Sequence, residues 1–139
     1  MSLKSNGYSG TPLALKLGIG GGCRLHVRGA PLDYPRALEP LPPGLELEDE
    51  VTERTDIVHV FRDRKAELGP ELEELRGSIR SDAVVWVSWP KKSSKRPTDI
   101  TEDTIRELAL PLGFVDVKVC SVSEVWSALK LVIRKELRG

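Results

Sequence analysis

The feature that most restricts the fold of this 139-residue chain lies near its end. Phe114-Val115-Asp116-Val117-Lys118-Val119-Cys120 alternates strictly, and a second strand-like run, Trp126 to Arg134, follows after only a short turn over Ser121–Val125. A parallel return needs a crossover of about a dozen residues, so this pair closes as an antiparallel hairpin. Upstream of the hairpin, strand and helix patterns alternate. Ala83-Val84-Val85-Trp86-Val87 is nearly continuous in apolar residues, as expected of a central strand covered on both faces. Before it, Leu68, Leu72, Leu75 and Ile79 recur at helical spacing and share one face, with Glu71, Glu73, Glu74 and Arg76 turned outward. Between strand and hairpin, Asp99 or Thr101 caps a helix with Glu102 and Asp103 in its first turn, and Pro111 and Gly113 end it.

The N-terminal half follows the same rhythm with shorter elements. Thr11-Pro12 reads as an N-cap and first helical position, and Leu13 and Leu17 share a face of a short helix ending at Gly18. Gly18-Ile19-Gly20-Gly21-Gly22 follows a helix and precedes a strand. A phosphate-cradling glycine loop needs the opposite order, so this run is a connector. Arg24-Leu25-His26-Val27-Arg28 alternates as a first strand closed by Gly29-Ala30-Pro31. Pro31 to Leu38 fits a short helix, Leu45-Glu46-Leu47-Glu48 an edge strand, and Asp56 to Phe61 an interior strand. The expected fold is a single α/β domain over residues 1–139, with an arm, helix and connector over 1–22 and a Rossmann-like core over 23–139. Its open, mostly parallel sheet has about six strands and a C-terminal antiparallel hairpin.

Composition narrows the function classes. Hydrophobic residues at 40% and charged residues at 30% fit a globular chain. No stretch approaches a membrane-spanning run and no secretory signal opens the chain, so a cytoplasmic protein without membrane partners is expected. Cys23 and Cys120 lack metal-ligand spacing, which gives neither a metal site nor a disulfide framework. Net charge is zero, and that removes the long-range attraction a nucleic-acid binder uses. Charge is nevertheless uneven: residues 31–56 carry eight acids against Arg36 and Arg54, whereas Lys91, Lys92, Lys95 and Arg96 form a basic cluster.

Leu72 to Val87, Arg106 to Val119 and Leu129 to Lys135 resemble the later helix, strand and hairpin elements of class I S-adenosylmethionine-dependent methyltransferases, with one strand fewer than the full sheet. That resemblance implies a Rossmann-like fold. Its active members end the first strand near an acid followed by spaced glycines, where this chain has Arg28-Gly29-Ala30-Pro31. Proline withholds an amide and restricts its predecessor, so S-adenosylmethionine is disfavoured as cofactor and no catalytic residue is assigned. The resemblance places Asp49 or Glu50, after the second strand, where such an enzyme would hold a ribose; read from the residues alone, these acids belong to a solvent-facing, acid-rich edge. Across its length the chain also resembles a family of small bacterial proteins of unknown function. The shared pattern is carried by Gly7-Tyr8-Ser9-Gly10-Thr11-Pro12-Leu13, Trp89-Pro90-Lys91-Lys92, Asp99-Ile100-Thr101-Glu102, Val117-Lys118-Val119-Cys120 and Trp126-Ser127-Ala128-Leu129-Lys130.

Open α/β sheets bind ligands beyond the carboxyl ends of their parallel strands. There the sequence nominates Arg28, Gly29, Lys91, Lys92, Ser93 and Trp126 as ligand-binding residues, for an anionic small molecule or a protein partner. Trp89 joins Trp126 as a stacking candidate. His26 and His59 sit within strands without a readable partner and are expected to pack, and Tyr8 and Thr11 belong to an arm beside the site. The expected protein is a noncatalytic or regulatory module. An active methyltransferase with an atypical cofactor turn is the competing reading, and nucleic-acid binding a distant third.

Overall fold

The computed structural model describes residues 11–138; the Tyr8 expectation lies outside them. Six strands form one sheet: β1 Arg24–Arg28, β2 Glu46–Glu48, β3 Ile57–Phe61, β4 Val84–Pro90, β5 Phe114–Ser121 and β6 Trp126–Ile133. Their order is β2-β1-β3-β4-β6-β5. The first four are parallel, and β6 runs antiparallel to both β4 and β5. The mostly parallel sheet and its terminal hairpin are those the alternation predicts. Strand β4 continues through Ser88, Trp89 and Pro90, past the apolar run that announced it.

Side chains alternate between two cores. Ile57, Phe61, Trp86, Trp126 and Ala128 point to one face, covered by α1 (Leu13–Lys16) and α2 (Tyr34–Ala37). Val58, Val60, Val85, Val87, Trp89, Leu129 and Leu131 point to the other, covered by α3 (Lys65–Ser78) and α4 (Glu102–Ala109). Two mechanisms anchor the one-turn helix α1: Leu13 and Leu17 bury their side chains, and the Trp86 indole N–H donates to the Leu17 carbonyl at 2.9 Å. Pro12, not Thr11, is its N-cap, because the fixed proline φ suits the extended approach as well as the first helical turn.

Helix α3 presents the predicted Leu68, Leu72 and Leu75, all fully buried. Helix α4 begins at a reciprocal cap: Thr101 accepts from the Thr104 N–H, and the Thr104 hydroxyl accepts from the Thr101 N–H. Arg106 on α4 then reaches Asp116 on β5 at 2.9 Å and also pairs with Glu102 and Asp103, tying helix to edge strand. The parallel strands β1, β2, β3 and β4 deliver their last residues to one edge of the sheet, and the β5–β6 turn joins them there.

Candidate functional site

Strand order reverses between β1, whose chain successor β2 lies to one side, and β3, whose successor β4 lies to the other. That switch point is where an open sheet offers a crevice. Gly29 enters it with φ +72°, and a Cβ at this position would stand 2.5 Å from Arg62 Nη1 and 2.6 Å from the Phe61 carbonyl oxygen. A backbone oxygen cannot swing away, so this turn requires glycine.

The crevice is filled by the protein itself. Arg62 Nη1 donates to the Phe61 carbonyl at 2.9 Å, and its Nη2 and Nε reach the Glu71 carboxylate of α3, each at 2.8 Å. Arg28 reaches the same carboxylate at 3.1 Å and Glu74 at 3.1 Å. Its Nε donates to His26 Nε2 at 2.9 Å, which leaves His26 Nδ1 to donate to the Glu48 carbonyl at 2.9 Å. The Arg28 guanidinium beside Glu74 holds that carboxyl below the usual range. Arg28 and Gly29 therefore belong to a brace between β1, β3 and α3.

A second centre lies beyond β3 and β4. An open cavity of about 540 Å³ is lined by Asp63, Arg64, Arg96, Pro97, Thr98 and Asp99. Asp99 Oδ1 accepts the Lys65 N–H at 2.8 Å and so caps α3, a duty the preceding Arg64 side chain cannot perform. The Thr98 hydroxyl donates to the Asp63 carbonyl at 2.7 Å, and the Asp63 carboxylate holds Arg96 at 3.3 Å. Arg96 also lies over the Trp126 ring, 5.0 Å from its centroid. Arg64 is exposed and meets no acid among the described residues.

Lys91 joins this side of the edge: its ammonium donates to Ser121 Oγ at 2.7 Å, and Lys16 donates to the Ser121 carbonyl at 3.1 Å. Lys92 and Ser93 sit exposed on a single 3₁₀ turn. Ser94 organises the loop instead, donating to the Lys91 carbonyl at 2.6 Å and accepting from the Arg96 N–H at 3.1 Å. The nominated residues thus divide. Lys91, Lys92, Ser93 and Trp126 gather at β4 and β6, while Arg28 and Gly29 stand at β1, beyond the intervening β3. Trp89 and Trp126 occupy opposite cores and cannot sandwich one ligand. Sequence reasoning placed Arg96 in the basic cluster and Arg62 at the end of β3 without nominating either as a ligand-binding residue, and it missed Arg64, whose position just after β3 was the signal available.

His59 packs in the core, as its place inside a strand predicts, and it has partners there that no sequence spacing announces. Tyr34 Oη lies 2.6 Å from its Nδ1 and Ser88 Oγ 2.7 Å from its Nε2. Serine, histidine and tyrosine in a row have the outline of a nucleophile relay. Yet Ser88 and His59 are wholly buried and Tyr34 is 4% exposed, so no substrate reaches them. Burial pushes His59 down to about 3 and the Tyr34 phenol up. The chain braces α2 against β3 and β4. On the same face, a second cavity of about 370 Å³ lies between β1, β2 and the segment around α2, with Asp49 among its lining residues.

A mostly parallel six-stranded sheet closed by an antiparallel pair defines a methyltransferase-like α/β fold, and the solved structures similar to this chain agree. The mitomycin 7-O-methyltransferase MmcR matches 81% of this chain and 49% of its own, with 9% identity and a TM-score of 0.63. A TehB-like S-adenosylmethionine-dependent methyltransferase from Corynebacterium glutamicum matches 95% of this chain and 92% of its own, at 10% identity and a TM-score of 0.53. An S-adenosylmethionine-dependent methyltransferase from Clostridium acetobutylicum covers 86% and 87%, at 7% identity and 0.52. The chain spans about half the length of the first of these, and at such identities the likeness is one of fold. No curated protein matches the sequence. The model of the family DUF3052, proteins of unknown function, matches residues 42–135, and the chain belongs to that family.

Proposed function

We propose that this protein is a noncatalytic binding module on a methyltransferase-like frame, taking an anionic small molecule at the carboxyl ends of β3 and β4. The observation that carries this reading is the division of the carboxyl edge. The crevice at the β1–β3 switch, where a cofactor needs close backbone approach, is packed with Arg62 and Glu71. An open cavity of about 540 Å³ with Arg64 and Arg96 in its wall lies beyond β3 and β4, whereas the cavity of about 370 Å³ beside β1 and β2 is walled mostly by apolar side chains. Pro31 follows Gly29-Ala30 and withholds a further amide from the first turn.

At the open cavity, the groups able to move a proton are committed to structure. Asp99 caps α3, Asp63 holds Arg96, and the Thr98 hydroxyl is given to a carbonyl. Positive charge is left over. Arg64 has no acidic contact among the described residues, and the half-exposed Arg96–Asp63 pair at 3.3 Å is a weak one that a better anion displaces. Guanidinium forks match phosphate and carboxylate oxygens, which names the ligand class. One observation favours the competing enzyme reading: Asp49, directly after β2, lines a cavity against β1.

A thermal-shift panel separates the two, since a ligand that binds only the native state adds roughly 2.7 kcal/mol at a hundred times its Kd. Inorganic pyrophosphate is expected to raise the Tm saturably, less so at high salt, and to lose its effect in Arg64→Ala. S-adenosylmethionine and S-adenosylhomocysteine are expected to be silent. A saturable shift with the methyl donor alone replaces this reading with the enzyme.

A further inference from the structure

The cavity of about 370 Å³ on the α1–α2 face has a chemistry opposite to that of the basic edge. Its wall is built from Leu25 and Val27 of β1, Leu45 and Leu47 at β2, and Leu38 and Leu41 from the chain around α2. The reason it stays open is local. Strand β2 has only three residues and α2 only one turn, so the apolar side of β2 has no helix laid along it. Leu32, Leu41 and Leu47, which line the cavity, are 101%, 50% and 60% exposed. Grouped apolar exposure around a concavity of this volume, within the range of about 300–1,000 Å³ typical of ligand sites, marks a binding site.

The polar groups set the ligand's character. Tyr34 reaches the cavity wall, but its hydroxyl is engaged by His59. Glu48 is held on the far side of β2 by Arg24 at 2.6 Å and by the Thr55 hydroxyl at 3.0 Å. Asp49 lines the cavity, is exposed, and has no ion-pair partner among the described residues. The leucine, valine, alanine and proline side chains that make up most of the lining offer a nucleobase no hydrogen bond. The surrounding segment, 31–56, carries eight acids against two arginines; Arg24 pairs with Glu46 and Glu48 and Arg80 with Asp56, and the remaining excess of acid disfavours anions.

We infer that this cavity binds a small amphiphilic cation: an aliphatic body lies among the leucines and an ammonium head meets Asp49. The ligand class is therefore an alkyl amine, distinct from the anion proposed for the β3–β4 edge, and the site stands independently of that reading.

The test uses the full chain, nitrogen-isotope-labelled, titrated with n-octylamine, 1-octanol and octanoate, each below its micelle concentration and followed by amide chemical shifts. Octylamine is expected to move amides of residues 30–38 and 45–49 saturably, octanol more weakly, and octanoate least. Shortening the amine should weaken binding about fourfold per methylene removed. Asp49→Asn should bring octylamine down to the affinity of octanol, and Leu47→Gln, at an already exposed position, should weaken both. Several results overturn the inference: octanoate binding as tightly as octylamine, no saturable shift with any probe, or displacement of the amine by S-adenosylhomocysteine, which would mark a nucleoside site. Shifts of the same amides with protein concentration alone would assign the cleft to a second copy and likewise overturn it.

Discussion

His59 shows how a strand residue without a visible partner in the sequence becomes a fixed point of the fold. Its partners, Tyr34 and Ser88, are 25 and 29 residues away, and only the pairing of β3 with β4 and the placement of α2 bring them together. A neutral imidazole offers one donor and one acceptor, so it satisfies both neighbours while wholly buried. Its folded value, about 3, lies below the ordinary 6.5, so between these limits the unfolded chain holds the extra proton. Stability must fall as pH drops through that window, by about 1.4 kcal/mol per pH unit from this group. His59→Gln, weaker at neutral pH by about 1–3 kcal/mol from an imperfectly satisfied site, should lose less than the parent on acidification. Unfolding midpoints measured from pH 7 to about pH 4 check this, and parallel curves would refute it. Gly29 is a contrasting residue. A turn was legible there, but the reason it must be glycine, the Arg62 guanidinium and Phe61 carbonyl pressed against it, was not.

Helix α3 was the most legible element, because Leu68, Leu72 and Leu75 repeat at helical spacing and all three are buried. The same pattern misplaced Glu71, read as outward with its neighbours. Its side chain is 9% exposed and lies between Arg28 and Arg62, themselves 22% and 23% exposed. Periodicity counts positions around one helix; it carries no information about cations arriving from the end of β1 and from just after β3, 43 and 9 residues away. Glu71→Gln keeps the shape and removes the charge, leaving Arg62 without an acid among the described residues while Arg28 keeps Glu74. The expected loss is about 2 kcal/mol, discounted from a fully buried pair because both arginines touch solvent. Urea unfolding measures it, with Arg62→Leu/Glu71→Leu expected to regain part of the loss. An unchanged midpoint in Glu71→Gln would mean that the brace contributes nothing. The hairpin β5–β6 was legible from alternation and a short turn, whereas the brevity of β2 and α2, which opens the apolar cavity, was not: a proline-rich stretch reads as helix or loop equally well.

Across the whole molecule, strand and helix alternation fixes a mostly parallel sheet, but strand order depends on which apolar faces meet, and no single segment encodes that. The order β2-β1-β3-β4-β6-β5 sets the switch between β1 and β3, and the chain spends its own Arg62 and Glu71 there. The candidate edge was legible as a location, since strand ends can be read; its division into a closed and an open half was not, because that rests on which arginine finds which acid. No helix among the described residues is long and apolar enough to cross a membrane. In the proposed module the frame persists while Arg62 and Glu71 pack the crevice between β1 and β3. Isothermal titration calorimetry with S-adenosylmethionine, run beside inorganic pyrophosphate, tests it most directly. The methyl donor is expected to give no saturable heat, and pyrophosphate a salt-sensitive, Arg64-dependent isotherm; saturable binding of S-adenosylmethionine would overturn the proposal.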